Sequence, residues 1–201
     1  MQGWIWPRLG AVSGLLFVVL LFGFTSSGIE AEWVIIVELG AMLLFLPFLG
    51  YLYSILRRAE GEGGWLSITA FGAGLADLTI KLGSLAPGFA SRTKGLDPQL
   101  HEVLEKMNSV AFIVTVLPID VMMAAVAIVA IKTRVLPLWL GLLVAITAPI
   151  CLVNGTFLDA EFGPAFLLFL LWIALASVVL TLRAGKSRAT ATATPEPARV
   201  R

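Results

Sequence analysis

Six long apolar runs separated by short polar gaps set the pattern of the chain. They fall at about residues 9–26, 33–56, 65–87, 108–131, 136–154 and 164–182, and a helix needs roughly 17–25 such residues to cross the hydrocarbon of a bilayer. The pattern predicts an all-α polytopic bundle of six transmembrane helices. The connections are short except the third, from Gly88 to Met107. There Asp97-Pro98 makes a helix start, an N-cap acid with proline at the first helical position. Gln99–Met107 is therefore expected to be a polar helical lead-in that runs into the fourth span. Pro47, Pro118 and Pro149 lie inside spans, where each removes a backbone hydrogen bond and tends to kink its helix.

Composition agrees with the pattern. Of 201 residues, 59% are hydrophobic and only 13% charged, against about half and a quarter in soluble domains. The net charge of +1 gives no argument for nucleic acid as a partner. A single cysteine, Cys151, and a single histidine, His101, exclude an internal disulfide, an Fe–S site and His-rich zinc or haem sites, so no cofactor and no metal is expected. The amino end, MQGWIWPR before an apolar run, has the outline of a leader peptide, with SSGIEAEW as a cleavage region. Retention as a first span is the preferred reading, because the run is long enough to cross and a multi-span protein needs no cleaved leader.

The basic residues orient the bundle. Arg8, Arg57, Arg58, Lys132, Arg134, Arg183, Lys186, Arg188, Arg199 and Arg201 fall on one side, ten of the fourteen. Arg92, Lys94 and Lys106 fall on the other, and Lys81 lies within a span. The excess marks the cytoplasmic face, so both termini are expected inside, with Glu30, Glu32, Asp159 and Glu161 in the outer gaps. Trp33, Trp65 and Trp139 fall at the predicted interfaces, where indoles prefer to lie. Residues 184–201, poor in hydrophobes and rich in Ala, Thr and Pro, are expected to form a disordered basic cytoplasmic tail, solvated or lying against anionic lipid.

The second and fourth spans share a shape: Leu-Pro near the middle, a basic exit, then a tryptophan opening the next span. A parallel internal duplication would produce this, and so would chance, since both features are common in membrane proteins.

Four ionisable residues fall inside the spans. The third span reads GAGLADLTIKLGS over Gly72–Ser84, with Asp77 and Lys81 one helical turn apart and the acid on the N-terminal side, as such pairs prefer. Ala70, Ala73, Gly74 and Ser84 share their face; Phe71, Leu75, Leu78 and Leu82 are placed opposite. By depth, Asp77 and Asp120 lie near mid-membrane, Lys81 about 6 Å further out, and Glu38 about 8 Å below the outer surface at 1.5 Å per residue. Each such group costs about 2.5–3.5 kcal/mol at a helix centre, so all four are expected to face the bundle interior. Asp120 is a second candidate partner for Lys81. Three acids against one base imply entering water, a neutral acid or a bound cation; the competing reading is a buried pair that only fixes helix register.

Other constellations are weaker. Gly10 and Gly14 form a GxxxG in the first span, permitting close helix approach. Asn154-Gly155-Thr156 reads as a turn closing the fifth span, and Cys151 as buried packing. His101 with Glu102 and Glu105 reads as a solvated polar face in preference to a metal site. The chain holds no Walker A loop, Rossmann fingerprint, HExxH, GxSxG or kinase set. Asp77, Lys81 and Asp120 could serve as acid and base, but no spacing points to a reaction, and an enzyme is the least supported class.

LGYLYSILRRAEG after the second span, LDPQLHEVLEKMNSVAF entering the fourth, and LPIDVMMAAVAIVAIKTRVLPLWLGLL across the fourth and fifth give the chain a likeness over residues 33–182. In these stretches it resembles a broad group of six-span bacterial membrane proteins of the actinobacterial type, whose function is unknown. The resemblance implies the fold and lends no activity. Its members carry apolar residues near positions 77, 81 and 120, so the charges here depart from the group. Size and span count are also similar to the substrate-binding subunits of energy-coupling transporters, without a motif for their partner.

The sequence thus points to a multi-pass membrane protein that binds or transports a small solute, proton or cation in a cavity lined by Glu38, Asp77, Lys81 and Asp120. Its expected partners are membrane lipid, that solute and a companion membrane subunit. The rival reading is a structural or accessory subunit of a larger membrane complex, its charges acting as helix-packing pairs.

Overall fold

A computed structural model describes the backbone of residues 5–25, 32–157 and 164–192, and side chains over 8–23, 36–111, 113–153 and 166–184. Glu30, Asp159, Glu161, the side chains of Glu32 and Trp33, and the tail beyond Thr192 lie outside the described residues.

The described residues form seven helices and no strand: α1 (Ile5–Thr25), α2 (Glu32–Glu60), α3 (Trp65–Ala90), α4 (Pro98–Val114), α5 (Val116–Thr133), α6 (Leu138–Phe157) and α7 (Pro164–Thr192). Four helical stretches are long and apolar enough to cross a membrane: Ile36–Glu60, Trp65–Ala90, Pro98–Thr133 and Phe166–Ala184. Arg8–Gly23 and Leu138–Val153 are apolar but shorter. The protein is an all-helical membrane protein.

The lead-in to the fourth run is helical, as its N-cap predicted. The Asp97 carboxylate accepts from the backbone N–H groups of Gln99 and Leu100 at 2.9 and 3.3 Å, with Pro98 in the first turn. α4 passes into α5 across a single non-helical residue, Thr115. Pro118 accounts for the break: it has no N–H to give the carbonyl of Val114, four residues back, and its ring crowds that carbonyl. The bonds on either side survive, from Thr115 N–H to Ala111 and from Ile119 N–H to Thr115.

Two boundaries differ from expectation. Asn154-Gly155-Thr156 is no turn but part of α6, which continues to Phe157; away from water, backbone groups are best satisfied by prolonging the helix. Residues 184–192, expected to be disordered, extend α7 to Thr192. Adding residues to an existing helix needs no new nucleus, and Ala, Lys and Arg propagate it well.

Packing closes a ring in the order α1, α2, α3, α5, α6, α7 and back to α1, with α2 also touching α5 across the middle. Glycines admit the closest approaches. A Cβ at Gly10 would sit 2.6 Å from Tyr51 Cβ, and one at Gly14 would meet Phe48 at 2.5 Å and Ser177 Oγ. The GxxxG face of α1 therefore seats it between α2 and α7. Gly74 does the same for α3, beside Leu49 of α2 and Met122 of α5.

At one end of the ring, the turn from α2 to α3 runs through Gly61, Gly63 and Gly64, all with positive φ. The Glu60 carboxylate turns back there to accept from the N–H groups of Leu66 at 3.1 Å and Ser67 at 2.8 Å, satisfying the open start of α3. This end carries Arg57, Arg58, Lys132 and Arg134, and Trp65 and Trp139 are exposed beside them. Arg183 of α7 donates to the carbonyl of Val135 in the α5–α6 turn. At the opposite end, Ser91 ties α3 to α4: its hydroxyl donates to Glu105, and its carbonyl lies 2.9 Å from His101 Nδ1. Two of the three residues read as a solvated polar face are thus joined to the neighbouring helix.

Candidate functional site

α3 buries the face expected of it. Ser67, Ala70, Gly74, Asp77, Lys81 and Ser84 are buried, and Leu75 is exposed. Leu78, placed on the opposite face from the sequence, is buried too. A position one residue on from Asp77 lies only about 100° around the helix, near enough to be covered by the ring.

Asp77 and Lys81 are 3% and 6% exposed, in a setting where each charge requires a partner. They are partners of each other. The Lys81 ammonium lies 3.1 Å from Asp77 Oδ1. Its hydrogen bond goes to Oδ2 at 3.4 Å, and Oδ1 receives none. The ammonium also stands over two rings of α7, 5.0 Å from the centroid of Phe166 and 5.7 Å from that of Phe169, both within the range of a cation–π attraction. The ion pair belongs to one helix, and the aromatic contacts carry it across the ring to another.

Beside the pair is a cavity of about 20 Å³, room for about one water molecule. α1 lines it with Phe17 and Leu21, α2 with Met42 and Phe45, and α3 with the pair and Leu78. Phe166 and Phe169 close it from α7. It lies between the latter part of α1, the middle of α2 and α3, and the first turns of α7.

Of the four ionisable residues singled out from the sequence, the fold brings Asp77 and Lys81 together at this cavity. Glu38 and Asp120 are not among its lining residues. Glu38 is half-buried near the start of α2. Asp120 does not reach Lys81 as a second partner; both its carboxyl oxygens are buried and without a hydrogen bond. Sequence reading missed Phe166 and Phe169. Their spacing of three places them on one face of α7, but nothing in the chain tells such a face from one turned to lipid.

Among the described residues, no group of three or more His, Cys, Asp or Glu side chains is close enough to hold a metal ion. No protein-family model, curated protein or solved structure matches the chain.

Proposed function

We propose that the protein is a six-span bacterial inner-membrane protein, of the kind its sequence resembles, with both termini in the cytoplasm. In this reading the Asp77–Lys81 cavity binds or passes a small solute, proton or cation. Six spans are supported by α1 and α6, which at 21 and 20 residues are about 30 Å long at 1.5 Å per residue, the thickness of the hydrocarbon core. The orientation rests on the gathering of basic residues and exposed tryptophans at one end.

The observation that carries the functional reading is a buried acid and base of a single helix facing a small cavity among four helices. A pair serving only to lock helices would join two of them. The salt bridge of this one spans a single turn of α3 and so joins no two helices; only the aromatic contacts of Lys81 reach α7, while burial carries a desolvation penalty of several kcal/mol per ion. Charges kept inside a membrane under those terms mark solute, ion or proton pathways. Glu38 and Asp120, outside the lining, are no part of the proposed site.

Thermal unfolding of the purified protein in detergent tests this, with sodium, potassium and choline chloride and a pH series as probes. A stabilisation that depends on one probe and disappears in Asp77→Asn is expected. Equal destabilisation of Asp77→Asn under every probe would mean that the pair is packing alone.

A further inference from the structure

The lining of the cavity narrows what it can take. Among the described residues, Asp77 brings the only carboxylate of the lining and Lys81 the only other charge; the remaining lining side chains are hydrocarbon or aromatic, apart from the thioether of Met42. A hard metal cation seeks six or more oxygens, and one carboxylate with space for a single water falls far short. A solute larger than water does not fit. A proton needs one basic oxygen and a route, and the Asp77 carboxylate supplies the oxygen: Oδ1 is ion-paired with the Lys81 ammonium at 3.1 Å and accepts no other hydrogen bond.

Resting on the reading of this cavity as a binding site, we propose that its cargo is a proton, held by Asp77. Phe166 and Phe169 hold the Lys81 ammonium while the acid is neutral. In the paired state the site is Asp77 carboxylate with Lys81 ammonium, net charge zero. A proton delivered from water forms the O–H bond of the carboxylic acid; Lys81 stays protonated and the site becomes +1. An ammonium left alone in hydrocarbon would make that state inaccessible. The two ring faces, 5.0 and 5.7 Å away, supply the substitute attraction. On the other helices packed against α3, Asp120 of α5 is buried without a hydrogen bond, Asn108 of α4 is uncharged and lies against Gly88, and His101, Glu102, Glu105 and Lys106 lie on exposed positions of α4. Among the described residues, the side chains that line the cavity from α1, α2 and α7 are uncharged, and the half-buried Glu38 of α2 lies outside that lining.

Infrared difference spectroscopy of the full-length protein in lipid nanodiscs, titrated with acid, reads this directly. A protonated-carboxyl carbonyl band is expected to grow on acidification and to be absent in Asp77→Asn, while Asp120→Asn retains it. Phe166→Leu with Phe169→Leu, which keep the cavity apolar, are expected to weaken proton binding at Asp77 about tenfold, in line with a desolvated cation–π contact. Absence of an Asp77 band, or a titration unmoved by loss of both rings, overturns the proposal. If the band is silent while sodium or potassium stabilises the wild type and not Asp77→Asn, the cavity remains a binding site and the proton assignment falls. If Asp77→Asn changes neither response, both fall.

Discussion

The indole N–H of Trp172 on α7 donates to the backbone carbonyl of Leu140 on α6 at 3.2 Å, and both residues are fully buried. The contact joins adjacent members of the ring at the largest fully buried side chain among the described residues. Trp172→Phe removes the donor and part of the volume. The expected loss is about 1–2 kcal/mol, the hydrogen bond contributing about 1 of it. Trp172→Ala is expected to cost about 3–5 kcal/mol. Unfolding in mixed micelles measures both, and equal stability of Trp172→Phe and wild type would show the bond to be idle.

The seat of α1 admits no side chain. Gly14→Ala directs a methyl group at the Phe48 ring and Ser177, and Gly10→Ala one at Tyr51. Overpacking of this kind typically costs about 1–3 kcal/mol. Gly40 has open space at the corresponding point, so Gly40→Ala is expected to be neutral or slightly stabilising. Apparent melting temperatures of the three variants in detergent provide the comparison.

Glu60 caps α3 from the preceding helix, and the acid also favours the positive end of the helix dipole. Glu60→Ala is expected to destabilise by about 1–2 kcal/mol and to speed amide exchange at Leu66 and Ser67. Glu60→Gln, which can still accept, is expected to lose less. Identical exchange in wild type and Glu60→Ala would refute the capping role.

At the opposite end, Ser91→Ala removes the hydroxyl bonded to Gly88 and Glu105. Faster amide exchange is expected over the first turns of α4, with α5 unchanged beyond Thr115, because the helix is already interrupted there. Hydrogen exchange read by mass spectrometry resolves the two halves.

How far the fold could be read from the chain depended on whether water or protein set the pattern. The start of α3 at Trp65 and the Asp97 cap were legible because local chemistry fixes them. The inward face of α3 was legible because it carries the Asp77–Lys81 pair, which hydrocarbon would not accept. The rotation of the other helices was not: lipid and protein interior are equally apolar, so core-facing and lipid-facing positions look alike. Hence neither Phe166 and Phe169 beneath Lys81 nor the bond from Trp172 to Leu140 could be found in advance. Asp120 was expected at the level of the pair, but depth says nothing of direction around a helix, and the pocket formed without it.

Because acid and base lie on the same turn of α3, their mutual neutralisation requires only that α3 be helical. The least apolar of the four long segments can therefore enter the bilayer during synthesis with its charges already matched. The aromatic contacts from α7, which follows α3 in the chain, are then added to a segment whose charges are already paired. Moving Lys81 to a neighbouring helix would keep the charge count but make insertion of α3 wait on a second segment.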